Sequence, residues 1–341
     1  MGSGEPTARP KLRWRLTDHE ADHPRLFDPG NWRPGRDELS NLELLHVHAK
    51  KLINAVHPRS RMRFRWTINA YRGCSHACVY CFARPTHEFL GLDIGEDFDR
   101  RIVIKVNAVE RVRDELAARG WGADHIAMGT NTDPYQPVEG RYRLTRGIIR
   151  ALSHARNPFS ILTKSTLIER DAKLLAEASE RTEVSTSLSI GCLDIDVWRG
   201  TEPHTPRPER RLETVAKLSE LGVSCGVLIA PVIPGVSDGR EQLRRVVRRA
   251  VDAGATSIGS VYLHLAPGVR ELMMTWLAEN RPDLLCDYRR RYGQGRFAPE
   301  SERRRLGATI DELVREAGGV RMPLRVASTE RAGPPRQLRL V

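Results

Sequence analysis

Three cysteines stand within eight residues of this chain, in the stretch Tyr71-Arg72-Gly73-Cys74-Ser75-His76-Ala77-Cys78-Val79-Tyr80-Cys81, spaced C-x3-C-x2-C. No fourth cysteine is near. Thiolates this close in sequence can share one metal centre only on a loop of fixed shape, so this stretch limits the fold more than any other. Iron–sulfur cubanes are usually held by four thiolates. Three leave one iron with an open position, and an open position is where a metal centre does chemistry. The spacing therefore fits a [4Fe–4S] cluster that binds a reactant on its unique iron. It also fits a tetrahedral zinc site completed by His76 or His87. Cys78 and Cys81 form a C-x-x-C of the redox-disulfide kind, and small buried apolar residues are the bland alternative.

The surrounding sequence alternates between two periodicities. Strand-like segments fall at 63–69, 125–128, 160–163, 183–190, 224–229 and 257–265, with a further short one at 102–106. Helical spacing falls between them at 107–119, 145–155, 170–181, 208–221 and 237–253. Ser237 and Asp238 are good helix starts, and Gly120, Gly222 and Gly254 good stops. Residues 42–56 also have helical spacing, through Leu45, Val47 and Ile53. Alternation of this kind predicts a parallel sheet with right-handed crossovers. Six such units predict an α/β fold, an incomplete (β/α)6 barrel over 41–268, with the cysteine loop directly after its first strand. Reactive loops of such barrels lie at the C-terminal strand ends. Residues 1–40 read as an irregular, flexible arm, and 269–341 as a helical basic extension. In that extension 271–279 is amphipathic around Leu272, Met273, Trp276 and Leu277. Tyr288 to Phe297 interleaves basic and aromatic residues, and Arg303-Arg304-Arg305 follows.

The net charge of +12 attracts phosphate-bearing partners. No run approaches the roughly 18 apolar residues of a membrane span. The start of the chain has no apolar core of a secretory signal. Clustered thiols are not a secreted disulfide framework. The expected location is cytoplasmic, with no membrane partner.

The loop resembles the signature of the radical S-adenosylmethionine (SAM) enzymes, C-x3-C-x-Φ-C with an aromatic Φ, here Tyr80. The wider text, Trp66 through Arg84, is similar to the spore photoproduct lyase-like group, often labelled DNA repair photolyases. So are Gly129-Thr130-Asn131-Thr132-Asp133-Pro134-Tyr135-Gln136-Pro137 and Ala230-Pro231-Val232-Ile233-Pro234-Gly235. The similarity runs from about residue 50 to about residue 300. Ala70 departs from the proline usual before Tyr-Arg-Gly-Cys.

The resemblance implies that Cys74, Cys78 and Cys81 bind three irons while the fourth chelates SAM. Reductive cleavage then gives methionine and a 5′-deoxyadenosyl radical. It implies an electron donor such as flavodoxin or ferredoxin. It places Tyr80 near the adenine, Asn131 and Thr132 at the SAM amino group, and Lys164 at its carboxylate. Ser185, Ser187 and Ser189 share one strand face, and Ser187 and Ser189 are candidates for ribose or carboxylate contact. Glu202 reads as an exposed ion pair with Arg210 or Arg211, and His264 as structural. The lyases carry a hydrogen-donating cysteine about where Asn131 stands, so the lyase reaction itself is in doubt. Cys192, Cys225 and Cys286 read as structural.

The leading expectation is a radical SAM enzyme of unknown substrate. Nucleic acid is a candidate partner, as in repair or modification related to spore photoproduct lyase. A zinc-stabilised nucleic-acid-binding protein without catalysis and a pure electron carrier are the alternatives of other classes.

Overall fold

The computed structural model describes residues 41–57, 60, 62, 64–293 and 295–322. The 1–40 arm and the end of the extension lie outside the described residues. Ten strands are β1 (Glu43–Val47), β2 (Ile53–Ala55), β3 (Trp66–Ile68), β4 (Tyr71–Arg72), β5 (Arg101–Lys105), β6 (Ile126–Met128), β7 (Phe159–Thr163), β8 (Val184–Ser189), β9 (Cys225–Val232) and β10 (Ile258–Tyr262). The α-helices are α1 (Glu96–Arg100), α2 (Ala108–Ala117), α3 (Val138–Tyr142), α4 (Leu144–His154), α5 (Ala172–Ser179), α6 (Ile195–Thr201), α7 (Pro208–Glu220), α8 (Arg240–Asp252), α9 (Val269–Asn280), α10 (Leu285–Tyr292) and α11 (Glu300–Glu316).

The main sheet runs β10-β9-β8-β7-β6-β3-β2. Six of its strands, β3 and β6 to β10, are mutually parallel, and β2 is an antiparallel edge. This is the expected six-unit partial barrel, with a mostly parallel sheet and helices around it. Phe159 and Ile161 of β7, and Val184 and Leu188 of β8, join the core shared with Ile148, Leu152, Leu175 and Leu212 of the helices. The opposite face, with Ser160, Leu162 and Lys164 beside Ser185, Ser187 and Ser189, is the inner one, and five of these six are only half-buried.

Residues 42–56 are not helical. Their apolar side chains sit in β1 and β2. β1 pairs with β5 in a separate three-stranded sheet, β1-β5-β4, and β2 edges the barrel. Five ladder positions along β5 satisfy the β1 backbone, so strand pairing overrides a periodicity that also suits a helix. The 102–106 segment is thus β5 of this outer sheet, which braces the cysteine loop through β4. Gly222 and Gly254 end α7 and α8 with φ of 74° and 75°, as expected. Ser237 and Asp238 do not start α8. They accept from Ile233 N and Gly235 N, capping a turn before it.

The helical extension continues the body of the protein. α11 lies against α8 and β10. After it, Val320 O accepts from Ile258 N and Met322 N donates to Ile258 O. Cβ atoms at Gly226 and Gly259 would meet Met322 Cε at 3.3 Å and Sδ at 3.0 Å. Gly226 is the register partner of Ser187, so Met322 covers the inner face at that level. Buried Tyr288 and Tyr292 donate to Pro234 O and Leu263 O, both at 2.9 Å.

Candidate active site

The loop after β3 is shaped before any cofactor is considered. Gly73 has φ 77°, and a Cβ there would meet the carbonyls of Phe98 and Arg101 at 2.9 Å and His87 Cε1 at 3.0 Å. Only glycine fits. The chain then turns through Ala77 N→Cys74 O (3.2 Å) and Cys81 N→Cys78 O (3.2 Å). Arg84, 3% exposed, braces the turn: Nε donates to Cys78 O at 3.0 Å, and its guanidinium pairs with Asp99 at 2.8 Å.

Cys74 and Cys78 are buried and Cys81 is half-buried. The three thiols lie within electrostatic reach of one another, and burial pushes all of them above the ordinary thiol range. The backbone amides of His76 and Ala83 offset part of that rise at Cys74 and Cys81, and loading must remove the thiol protons. Among the described residues no three His, Cys, Asp or Glu side chains converge to hold a single metal ion. Of the histidines offered for zinc, His76 Nδ1 faces Asp133 Oδ2 at 3.4 Å and His87 Nε2 faces Arg101 O at 3.0 Å, while His87 Nδ1 is buried without a hydrogen-bond partner. The donor set fits a cluster that spreads its ligands over several irons.

Beside the thiols, five elements meet in one buried ionic knot. Lys164, directly after β7, places Nζ 2.7 Å from Ser189 Oγ, 3.2 Å from Ala230 O and 3.3 Å from Glu202 Oε1. Its ammonium also lies 5.7 Å from the Tyr80 ring centroid. Glu202 accepts from the Tyr80 hydroxyl and from Arg211 Nη2. Arg211, fully buried in α7, donates to Ser189 O and Pro206 O at 2.8 Å each. Burial works against the Glu202 charge, but Arg211 and Lys164 outweigh it and hold the carboxyl down at about 2. Within the knot two cations, Lys164 and Arg211, face the one carboxylate of Glu202.

Several expectations change here. Glu202 is 4% exposed, and its arginine is Arg211, so the exposed ion pair is a buried one. Tyr80 is 7% exposed and committed to Glu202 and to the cluster of apolar residues contributed by α9 and α10. Thr132 turns its hydroxyl to Gly73 O at 2.6 Å, so it serves the cysteine loop. Asn131 is exposed, with its N–H on Asn69 Oδ1 at 3.1 Å. Ser189 belongs to the knot, whereas Ser187 lies lower on the inner face. His264 stacks between Phe82 (5.4 Å) and Phe297 (5.5 Å), a structural role. Cys192 and Cys225 are buried, but Cys286 is exposed. Sequence reading passed over Gln136, Asp133 and Arg84, and offered Glu202 with Arg210 or Arg211 only as an exposed pair. A glutamine and an aspartate inside a turn motif were the available signals.

A cavity of about 790 Å³ is lined by Ser75, Ala77, Val79, Leu272 and Trp276, but by none of the three cysteines. Among the described residues several arginines of the extension are held in ion pairs. Arg291 pairs with Asp287 at 2.7 Å and with Glu302, Arg290 pairs with Asp287, and Arg304 pairs with Glu300 at 2.6 Å.

Residues 68–250 match the family model of the radical SAM superfamily. An uncharacterized protein of Mycobacterium tuberculosis is 41% identical over 298 residues, covering 87% of this chain and 86% of its own length. An uncharacterized protein of Methanocaldococcus jannaschii is 30% identical over 199 residues, 58% of this chain and 71% of its own. A spore photoproduct lyase variant with bound AdoMet and dinucleoside spore photoproduct has a similar fold, with a TM-score of 0.59 at 17% identity, covering 80% of this chain and 79% of its own. With the cysteine loop at the mouth of a six-stranded partial barrel and this family match, the chain belongs to the radical SAM superfamily, enzymes that use a [4Fe–4S] cluster and SAM.

Proposed function

We propose that Cys74, Cys78 and Cys81 hold the cluster, and that Lys164 and Ser189 at the ends of β7 and β8 receive the SAM carboxylate, with Ser187 below them. The Lys164 ammonium, fixed at the strand ends by Ser189, Ala230 O and Glu202 beside the thiols, carries this reading. When bound, the cluster and SAM supply reductive cleavage of the sulfonium bond to methionine and a 5′-deoxyadenosyl radical. The chain's own residues position and enclose. Glu202 fixes Lys164 and Tyr80, Arg211 neutralises Glu202, and the apolar residues of α9 and α10 keep water from the Tyr80 side of the loop. Asn131, exposed beside the same strand ends, and Thr132 through its backbone line the approach to the amino group. Lys164→Ala will weaken SAM binding by about 10- to 100-fold, the equivalent of roughly 1.5–3 kcal/mol for a charge-assisted hydrogen bond. Equilibrium dialysis with the cluster-loaded protein measures this. SAM affinity equal to the parent's removes Lys164 from the site.

Superfamily members need an electron donor, and a flavodoxin or ferredoxin is the one proposed here. No described helix is long and apolar enough to cross a membrane. An oxygen-sensitive cluster and clustered reduced thiols support a cytoplasmic location. For boundaries we take 1–40 as an arm, 41–268 as the barrel and 269–341 as the extension.

A second reading, action on a nucleic acid, draws on the net charge of +12 and on the lyase whose structure holds a dinucleoside lesion. The ion pairs of the extension count against Arg290 and Arg291 as phosphate contacts. Replacing Arg289, Arg290 and Arg291 together by alanine will therefore change the salt dependence of DNA binding little, less than one counterion per arginine removed. Binding titrations across salt concentrations measure it, and a loss near three counterions assigns the helix to phosphate contact.

A further inference from the structure

The Thr132–Gln136 turn after β6 does more than end a strand. Gln136 is fully buried, and its carboxamide engages both peptide groups that flank Cys74. Nε2 donates to Gly73 O at 3.1 Å, and Oε1 accepts from Ser75 N at 3.1 Å. Thr132 Oγ1 donates to the same Gly73 carbonyl at 2.6 Å and accepts from Gln136 Nε2 at 2.9 Å. The first cysteine is thus bracketed by a two-way amide contact and a hydroxyl, all from one neighbouring loop.

That loop is itself anchored. Asp133 takes Lys164 N at 2.7 Å and Tyr135 N at 2.9 Å. It also accepts from Thr163 Oγ1 at 2.5 Å and faces His76 on the cysteine loop at 3.4 Å. Tyr135, fully buried, donates to Asp171 at 3.1 Å. Glu139 receives the Tyr71 hydroxyl and Thr145 N, so the turn is also tied to the strand that leads into the cysteines. The fixed end of β7 and the cysteine loop are held by one rigid piece.

We propose that Gln136 and Thr132 are positioning residues for the cluster, a clamp that presets the Cys74 peptide unit before metal arrives. The inference rests on the assignment of Cys74 as a cluster ligand. The peptide groups that the clamp holds flank the Cys74 side chain, and hydrogen bonding and solvent exposure at the sulfurs set cluster potentials. Gln136 acts through Cys74 and touches no reacting atom.

The test compares the full chain, anaerobically reconstituted, with Gln136→Met, Thr132→Val and Thr132→Ser. Methionine keeps the volume of glutamine without its two amide contacts, and serine keeps the hydroxyl. Gln136→Met and Thr132→Val will load iron but release it to a chelator about tenfold faster than the parent. That is the factor expected when a buried peptide group loses its partner. Their reduced clusters will show shifted electron paramagnetic resonance g-values and a shifted midpoint potential. Thr132→Ser will restore the parent values. If Gln136→Met fails to fold, the valine–serine pair at 132 decides alone. Variants that match the parent in release rate, g-values and potential overturn the clamp, as does a lowered melting temperature with unchanged spectra, which marks a purely structural role. A parent that binds no iron overturns the ligand assignment itself, a separate outcome visible before any variant is made.

Discussion

Replacing Cys74, Cys78 or Cys81 by alanine will leave a folded, colourless protein that no longer cleaves SAM. The cysteines sit on a loop, and the barrel strands and helices draw their packing from other residues. Losing a buried cysteine side chain costs the fold little beside an unfolding free energy of about 5–15 kcal/mol. The cluster has no such reserve: with three ligands it already lacks one, and a second missing thiolate removes the basis of binding. Far-UV circular dichroism will match the parent while iron content and 5′-deoxyadenosine formation fall to background. A variant that keeps both iron and SAM cleavage shows that its cysteine is not a ligand.

Arg211→Met will destabilise the protein by about 3–5 kcal/mol, because it strands a buried carboxylate. Arg211 has no exposed surface and Glu202 has 4%, so water cannot replace the lost partner. Lys164 remains near Glu202 at 3.3 Å but stays divided among Ser189 and Ala230 O. Urea unfolding followed by circular dichroism measures the loss. Adding Glu202→Gln will return part of it, since the double variant buries no lone charge. The acid limb of stability gives an independent check. Glu202 is held at about 2 against an ordinary 4.5, so its contribution is complete above the ordinary value and fades as pH falls toward 2. Without Arg211 that limb moves to less acidic pH. An Arg211→Met protein as stable as the parent, with the same acid limb, contradicts the buried knot.

What could be read from the sequence follows from range. The cysteine loop is legible because its three cysteines are neighbours in the chain, and the six parallel strands because apolar runs and glycine stops are local. The position of Lys164 at a strand end is legible because the apolar run before it is local, and it directly follows β7. The 42–56 stretch was misread because β1 pairs with β5, more than 50 residues away, β2 pairs with β3 beyond a loop, and only the ladders tell a strand from a helix. Glu202 and Arg211 are nine residues apart, but whether they are buried depends on Tyr80 and Lys164, which come from other elements. Thr132 looked like a cofactor contact by its position at a strand end, and its hydroxyl instead faces Gly73. Met322 over Gly226 could not be foreseen, because nothing in the sequence brings the last described residue to the inner face.

Anaerobic reconstitution, followed by iron analysis and a SAM cleavage assay with a strong reductant, tests the central claim most directly. The account predicts about four irons per chain on the three cysteines, a brown colour that bleaches in air, and conversion of SAM to 5′-deoxyadenosine and methionine. Stoichiometric zinc without iron, or a loaded cluster that leaves SAM intact, would contradict it.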